Sequence, residues 1–182
     1  MLISKQRLSI KITGILLGFF VVATVAIGLT LLVSWQLEGG AAAINDAGSQ
    51  RMRSYRIGYL LARNLADEAE LVAEEMERFD AVLGDLERGD PYRPLAPARD
   101  ADVMREVQAV RGHWQDDIRP QLSRYLAAPQ EERSAIAAHY AREVGAFVAG
   151  INKLVLQMER TYAFNTNVLR LLQIALVGLA ML

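Results

Sequence analysis

The chain has 182 residues, a net charge of −1 and no cysteine, with 52% hydrophobic residues concentrated at its two ends. That length fits one modest domain plus membrane segments. The near-neutral charge, without an extended basic stripe, argues against nucleic-acid binding, and the lack of cysteine excludes disulfides, thiolate metal sites and cysteine nucleophiles.

Residues 1–11 carry Lys5, Arg7 and Lys11 and no acid, and Ile12–Val33 then runs 22 residues without a charge. As a helix this span is about 33 Å long, enough to cross a bilayer. Trp35 follows at the position of an interfacial aromatic belt. The apolar run exceeds the 7–15 residues typical of a signal-peptide core. An uncleaved membrane helix over 12–34 is therefore expected, with residues 1–11 cytoplasmic and the following chain outside.

Gln36–Ala43 is a bridge in which Gly39 and Gly40 either form a hinge or sit inside one long helix. Asn45–Arg56, reading NDAGSQRMRSYR, packs Arg51, Arg53 and Arg56 and one glycine into about three helical turns. Gly48, Arg51, Met52 and Tyr55 share a stripe at three- and four-residue spacing. A glycine inside a helix costs roughly 0.5–1 kcal/mol against alanine, a cost that usually accompanies close approach to a backbone or ligand. The guanidinium of Arg51, one turn on, offers planar paired donors that suit a planar oxyanion. Arg53 lies off the stripe and is expected in solvent. The plainer alternative is a solvated basic face with a packing glycine.

This helix should reach about Leu65; whether the chain breaks over Asn64–Glu68, where Asp67 is a candidate cap, is left open by the sequence. A second helix, about Asp67–Glu87, places Leu71, Val72, Met76, Phe79, Leu83 and Leu86 on one face. Glu68, Glu70, Glu74, Glu75 and Glu77 are then expected on a solvated face. Arg88–Asp100, with Gly89, Pro91, Pro94 and Pro97, reads as a loop. A third helix, about Ala101–Leu126, buries Val103, Val107, Val110, Trp114, Ile118, Leu122 and Tyr125, and Pro120 should kink or divide it. His113 and Asp117 form only a weak metal pair, and no metal site is expected. After Pro129 a fourth helix carries Ile136, Tyr140, Val144, Phe147, Ile151, Leu154 and Met158 inward, with His139 at the boundary. Leu171–Leu182 reads as apolar, reaching about 18 Å, the start of a second membrane helix that the sequence does not complete.

The predicted organisation is all-α: an antiparallel four-helix bundle over 35–167, flanked by membrane helices at 12–34 and 168–182. No nucleophile–base pair, nucleotide loop or cofactor motif appears, so no enzyme active site and no cofactor is expected within the chain.

The NDAGSQRMRSYR stretch also resembles the P-box of nitrate/nitrite sensor histidine kinases of the NarX and NarQ type, and the wider family of PilJ-type sensor domains of chemotaxis transducers. Asn45, Ala47, Gly48, Arg51, Met52, Ser54 and Arg56 carry the resemblance, which continues more loosely to about Arg170. Gln50 stands where an apolar residue is expected in such relatives. The resemblance implies a bacterial inner-membrane protein with a periplasmic sensor domain. It implies a homodimer binding one nitrate or nitrite ion between two P-box helices, with a histidine-kinase output domain further along. The implied anion-site residues are Arg51 for direct contact, Gly48 and Ala47 for backbone proximity, Arg56 for electrostatic support, and Tyr55. A PilJ-like chemotaxis transducer for another ligand, and a structural membrane coiled coil with no ligand, are the alternatives.

Overall fold

The computed structural model of the protein describes residues 2–65 and 68–180, and these are helical apart from short turns and one loop. The elements are α1 (Leu2–Arg63), α2 (Ala69–Arg88), α3 (Ala101–His113), a wide π-helical turn (Trp114–Ile118), α4 (Arg119–Ala127) and α5 (Gln130–Ala180). They divide into two compact units, residues 1–37 with 163–182, and residues 38–162.

In the unit of residues 38–162, apolar positions spaced at three and four residues on α1, α2, α3–α4 and α5 meet in one core. Phe79, Trp114, Tyr125, Tyr140 and Phe147 are its largest fully buried side chains. Trp114 stacks on Phe79 with ring centroids 4.0 Å apart, and its indole Nε1 donates to Asp80 Oδ1 at 2.7 Å. Arg119 Nε donates to the other oxygen of Asp80 at 2.9 Å, so the one carboxylate closes both ends of the π-helical turn.

The π-helical turn explains how Pro120 is accommodated. Proline has no amide hydrogen and its ring clashes with the carbonyl four residues back. Widening the preceding turn relieves that conflict, and Trp114 and Ile118 both stay buried. The division of the third helix expected at Pro120 therefore takes the form of a π-helical turn ending two residues before it. It also brings His113 and Trp114 to the same partner: their rings lie 5.0 and 6.1 Å from that of Phe147.

The question of a break near Asn64–Glu68, open from the sequence, is answered by the helix ends: α1 stops at Arg63 and α2 starts at Ala69. Asn64 adopts a left-handed backbone, φ 51°, as asparagine does at helix C-termini. Its carbonyl accepts from Gln130 Nε2 at 2.7 Å and its side-chain oxygen from Tyr125 Oη at 3.1 Å. Asp67, the expected cap, lies outside the described residues. At the start of α3, the Asp100 carboxylate accepts from the amides of Asp102 and Val103, both at 3.0 Å, a standard N-cap. Leu71, expected on the inner face of α2, is exposed instead.

Gly39 and Gly40 lie inside α1, with no hinge there. Gly40 is where the ring of Tyr162 on α5 rests: a Cβ there would come within 2.7 Å of the ring. The loop following α2 docks on the same stretch, with Arg93 Nη2 donating to Asp46 Oδ1 at 3.0 Å and Leu95 buried.

In the other unit, the large apolar side chains of α1 and α5 point outward, among them Ile15, Phe20, Leu171 and Ile174. Among the described residues α1 is the one helix long and apolar enough to cross a membrane. The hydroxyls of Thr24 and Thr30 bond back to the carbonyls of Phe20 and Ala26 at 2.8 and 2.9 Å, which hides their polarity. Gln173 interrupts the stretch read as apolar, and its amide donates to Thr30 Oγ1 at 3.0 Å.

Candidate functional site

The Asn45–Arg56 stretch is helical throughout. At about 100° per residue, Gly48, Met52, Tyr55 and Tyr59 fall on one side, with Arg51 at one edge and Arg56 at the other. Met52, Tyr55 and Tyr59 are 74%, 55% and 61% exposed. A helix face this apolar and this open is unusual on a soluble surface. The opposite side holds Ala47, Gln50, Ser54, Ile57 and Leu61, all buried. Ala47 thus packs in the core behind the exposed stripe.

Arg51 is exposed, yet its side chain is tethered to the protein surface. Its side chain folds back along the helix, and Nε donates to the carbonyl of Gly48 at 3.2 Å. An alanine Cβ at position 48 would lie 3.2 Å from Arg51 Nη2. The close approach for which Gly48 makes room is therefore that of Arg51's own guanidinium. Nη1 donates to Asn152 Oδ1 on α5 at 3.1 Å. The guanidinium is held at two points, and most of its five N–H donors have no acceptor among the described residues.

The other two arginines are organised around Glu75. This carboxylate, expected on the solvated face of α2, is 2% exposed. It pairs with Arg53 Nη1 and, at 3.3 Å, with Arg56 Nε. Arg53 is consequently not solvated: its side chain is only 17% exposed. Removing a carboxylate from water is costly, and two cations on adjacent turns of α1 offset that cost. Arg56 differs from Arg53, since more than half of its side chain remains exposed. The signal that could have found Glu75 is its phase: it lies three residues after Val72 and four before Phe79, both buried.

Two further polar side chains lie on the buried side of this helix. Gln50 turns its amide nitrogen back onto the Asp46 carbonyl at 3.1 Å and Ser49 Oγ at 2.9 Å, while its own carbonyl oxygen is buried without a partner among the described residues. Tyr140 Oη on α5 donates to the Ser54 carbonyl at 2.8 Å, and burial pushes its phenol well above the ordinary tyrosine range. Asn152 and Glu75 are site neighbours not singled out from the sequence, and nothing in the local pattern marks Asn152. Among the described residues no three His, Asp or Glu side chains converge as a metal site. His113 and Asp117 stand 3.9 Å apart.

The profile of the family described as PilJ, the N-terminal region of type IV pili methyl-accepting chemotaxis transducers, matches residues 32–164. The nitrate/nitrite sensor protein NarX of Escherichia coli (strain K12) is 33% identical over 149 residues, covering 79% of this chain and 22% of NarX. NarX of Escherichia coli O157:H7 and of Shigella flexneri match with the same identity and coverage. The chain thus spans about a fifth of the length of these curated relatives.

Proposed function

The chain belongs to the PilJ family of transducer N-terminal domains and resembles the N-terminal sensor region of a NarX-like kinase, and on that premise we propose that it senses nitrate or nitrite and signals across the bacterial inner membrane. In this reading residues 35–167 form a periplasmic antiparallel four-helix bundle, residues 12–34 and 168–182 enter the membrane, and the output is a histidine kinase.

The observation that carries the reading is the exposed stripe of Met52, Tyr55 and Tyr59, continued by the half-buried Gly48, with Arg51 held at its edge. An open aromatic face on a helix invites a second copy of the same face about a twofold axis. Such pairing brings two Arg51 side chains toward each other. Two unpaired guanidinium groups are costly to bury. A nitrate or nitrite ion between them supplies charge-assisted hydrogen bonds, roughly 1.5–3 kcal/mol each. Both ions have a twofold axis, so either meets both arginines equivalently on the dimer axis. Gly48 gives the Arg51 guanidinium its place, Tyr55 walls the site, and Arg56 adds positive potential from the far edge.

A ligand shifts a conformational equilibrium only by its differential affinity for the two states. Here the differential term is relief of the Arg51–Arg51 repulsion. Packed helices move between discrete arrangements, so the change passes along α1 and α5. Calorimetric titration of the chain in detergent with nitrate, nitrite, chloride and sulfate tests the reading. Saturable binding of nitrate or nitrite at one ion per dimer supports it; no heat with either ion refutes it.

The family match also favours a second reading, a chemotaxis-transducer sensor for another ligand. The same titration separates the two, because such a sensor leaves nitrate and nitrite unbound.

A further inference from the structure

Resting on that reading, we infer that Asn152 is a positioning residue for the anion site: it holds the Arg51 guanidinium in the orientation that a planar oxyanion requires and ties that orientation to α5. Arginine on a solvated helix face samples many rotamers, and fixing it for a ligand costs side-chain entropy. Here two acceptors have already fixed it. The Gly48 carbonyl takes Nε at 3.2 Å, and Asn152 Oδ1 takes Nη1 at 3.1 Å.

The two contacts differ in kind. The first is local to α1 and fixes the root of the guanidinium. The second reaches across 101 positions of sequence to α5 and fixes the rotation of its plane. Asn152 is exposed and follows the buried Ile151, so the core holds its backbone in place while its amide stays at the surface. An uncharged acceptor suits this task. A carboxylate at the same position would neutralise Arg51 and compete with the anion, as Glu75 neutralises Arg53.

The orientation matters for a planar ion and not for a spherical one. A bidentate contact between guanidinium and nitrate needs the two planes aligned, whereas chloride needs only the charge. Asn152 therefore contributes to the preference for nitrate over chloride as well as to affinity.

The test is titration of the full chain with nitrate and with chloride, for the parent, Asn152→Ala and Asn152→Asp, alongside the thermal midpoint of each without anion. For Asn152→Ala the expected result is a loss of nitrate affinity of roughly threefold to tenfold, the span of one hydrogen bond's net contribution. The preference over chloride narrows by a similar factor, and the anion-free midpoint is unchanged. Asn152→Asp should lose more affinity than alanine. If Asn152→Ala binds nitrate like the parent, or loses nitrate and chloride equally, the positioning role is overturned. A fall in the anion-free midpoint that accounts for the loss overturns it too, in favour of plain support of the fold. A parent chain that binds neither nitrate nor nitrite refutes the sensor reading itself, a different outcome from a binding parent with an indifferent Asn152 variant.

Discussion

Arg51 lies back over Gly48, its Nε on the Gly48 carbonyl and its Nη2 3.2 Å from where an alanine Cβ would stand. The glycine and the arginine are thus one structural unit, in which the missing side chain of one makes the seat of the other. Gly48→Ala separates the two contributions. Alanine is favoured over glycine inside a helix by about 1 kcal/mol, so stability should hold or rise by up to about that amount. The added methyl displaces the guanidinium by a few tenths of an ångström, and nitrate affinity should fall. A denaturant titration and a calorimetric titration on the same variant check both halves. Unchanged affinity would show that the fold-back is not the binding geometry.

Glu75 is the ionic centre of the interface between α1 and α2. Removing one partner of a buried pair leaves the other charge uncompensated, which costs about 3–5 kcal/mol. Arg56 is more than half exposed, so water recovers part of that loss, and Glu75→Ala should cost about 3 kcal/mol. Glu74, its neighbour, is half exposed and among the described residues pairs with Arg78 on its own helix. Glu74→Ala should change stability by no more than about 0.5 kcal/mol. Equal effects of the two substitutions in urea unfolding would contradict the buried-pair assignment.

The helices and their inward faces are legible in the sequence because burial imposes a period. Val103 through Tyr125 and Tyr140 through Met158 follow it position by position, and all are buried. The charged residues near the site are not legible in the same way. Arg53 reads as solvated because charged residues are seldom buried, and its partner lies 22 positions away on another helix. Glu75 sits at an inward phase of α2, yet it is one of a run of acids whose average position is outside. The fold-back of Arg51 depends on rotamer and on Asn152 of α5, neither of which spacing encodes. Pro120 announces a disturbance, but whether a helix kinks, breaks or widens is decided by what Trp114 and Ile118 pack against.

The Tyr140–Ser54 bond predicts a pH dependence. Burial raises the phenol of Tyr140 above its ordinary value near 10. Below that value the phenol is protonated in both folded and unfolded chains, and its contribution to stability is complete. Above about pH 10 the unfolded chain releases the proton while the native chain retains it, so the unfolded state gains and stability falls as pH rises. Thermal midpoints should decline from about pH 10 upward, and Tyr140→Phe should flatten that decline. The same variant should cost about 1 kcal/mol at neutral pH, the worth of one hydrogen bond. An alkaline limb identical in parent and Tyr140→Phe would assign the titration to another group.

Arg51 and Arg53 should fail in opposite ways, which makes the pair the most discriminating test of the site. Among the described residues the Arg51 side chain hydrogen-bonds to Gly48 and Asn152, and it stands at the surface, so Arg51→Ala removes ligand donors and no core volume. Nitrate binding should be abolished with the helical fold and thermal midpoint retained. Arg51→Lys keeps the charge but loses the planar fork and the Nε contact, and should bind nitrate much more weakly than the parent. Arg53 is mostly buried against Glu75 and faces away from the stripe. Arg53→Ala should lower stability, while the folded fraction binds nitrate with close to the parent's affinity. Circular dichroism melts and nitrate titrations on the three variants give the comparison. Were Arg53→Ala to abolish binding in a chain that remains folded, the anion would have to lie on the α2 side of the helix, next to Glu75, and the exposed stripe would be an interface without a ligand.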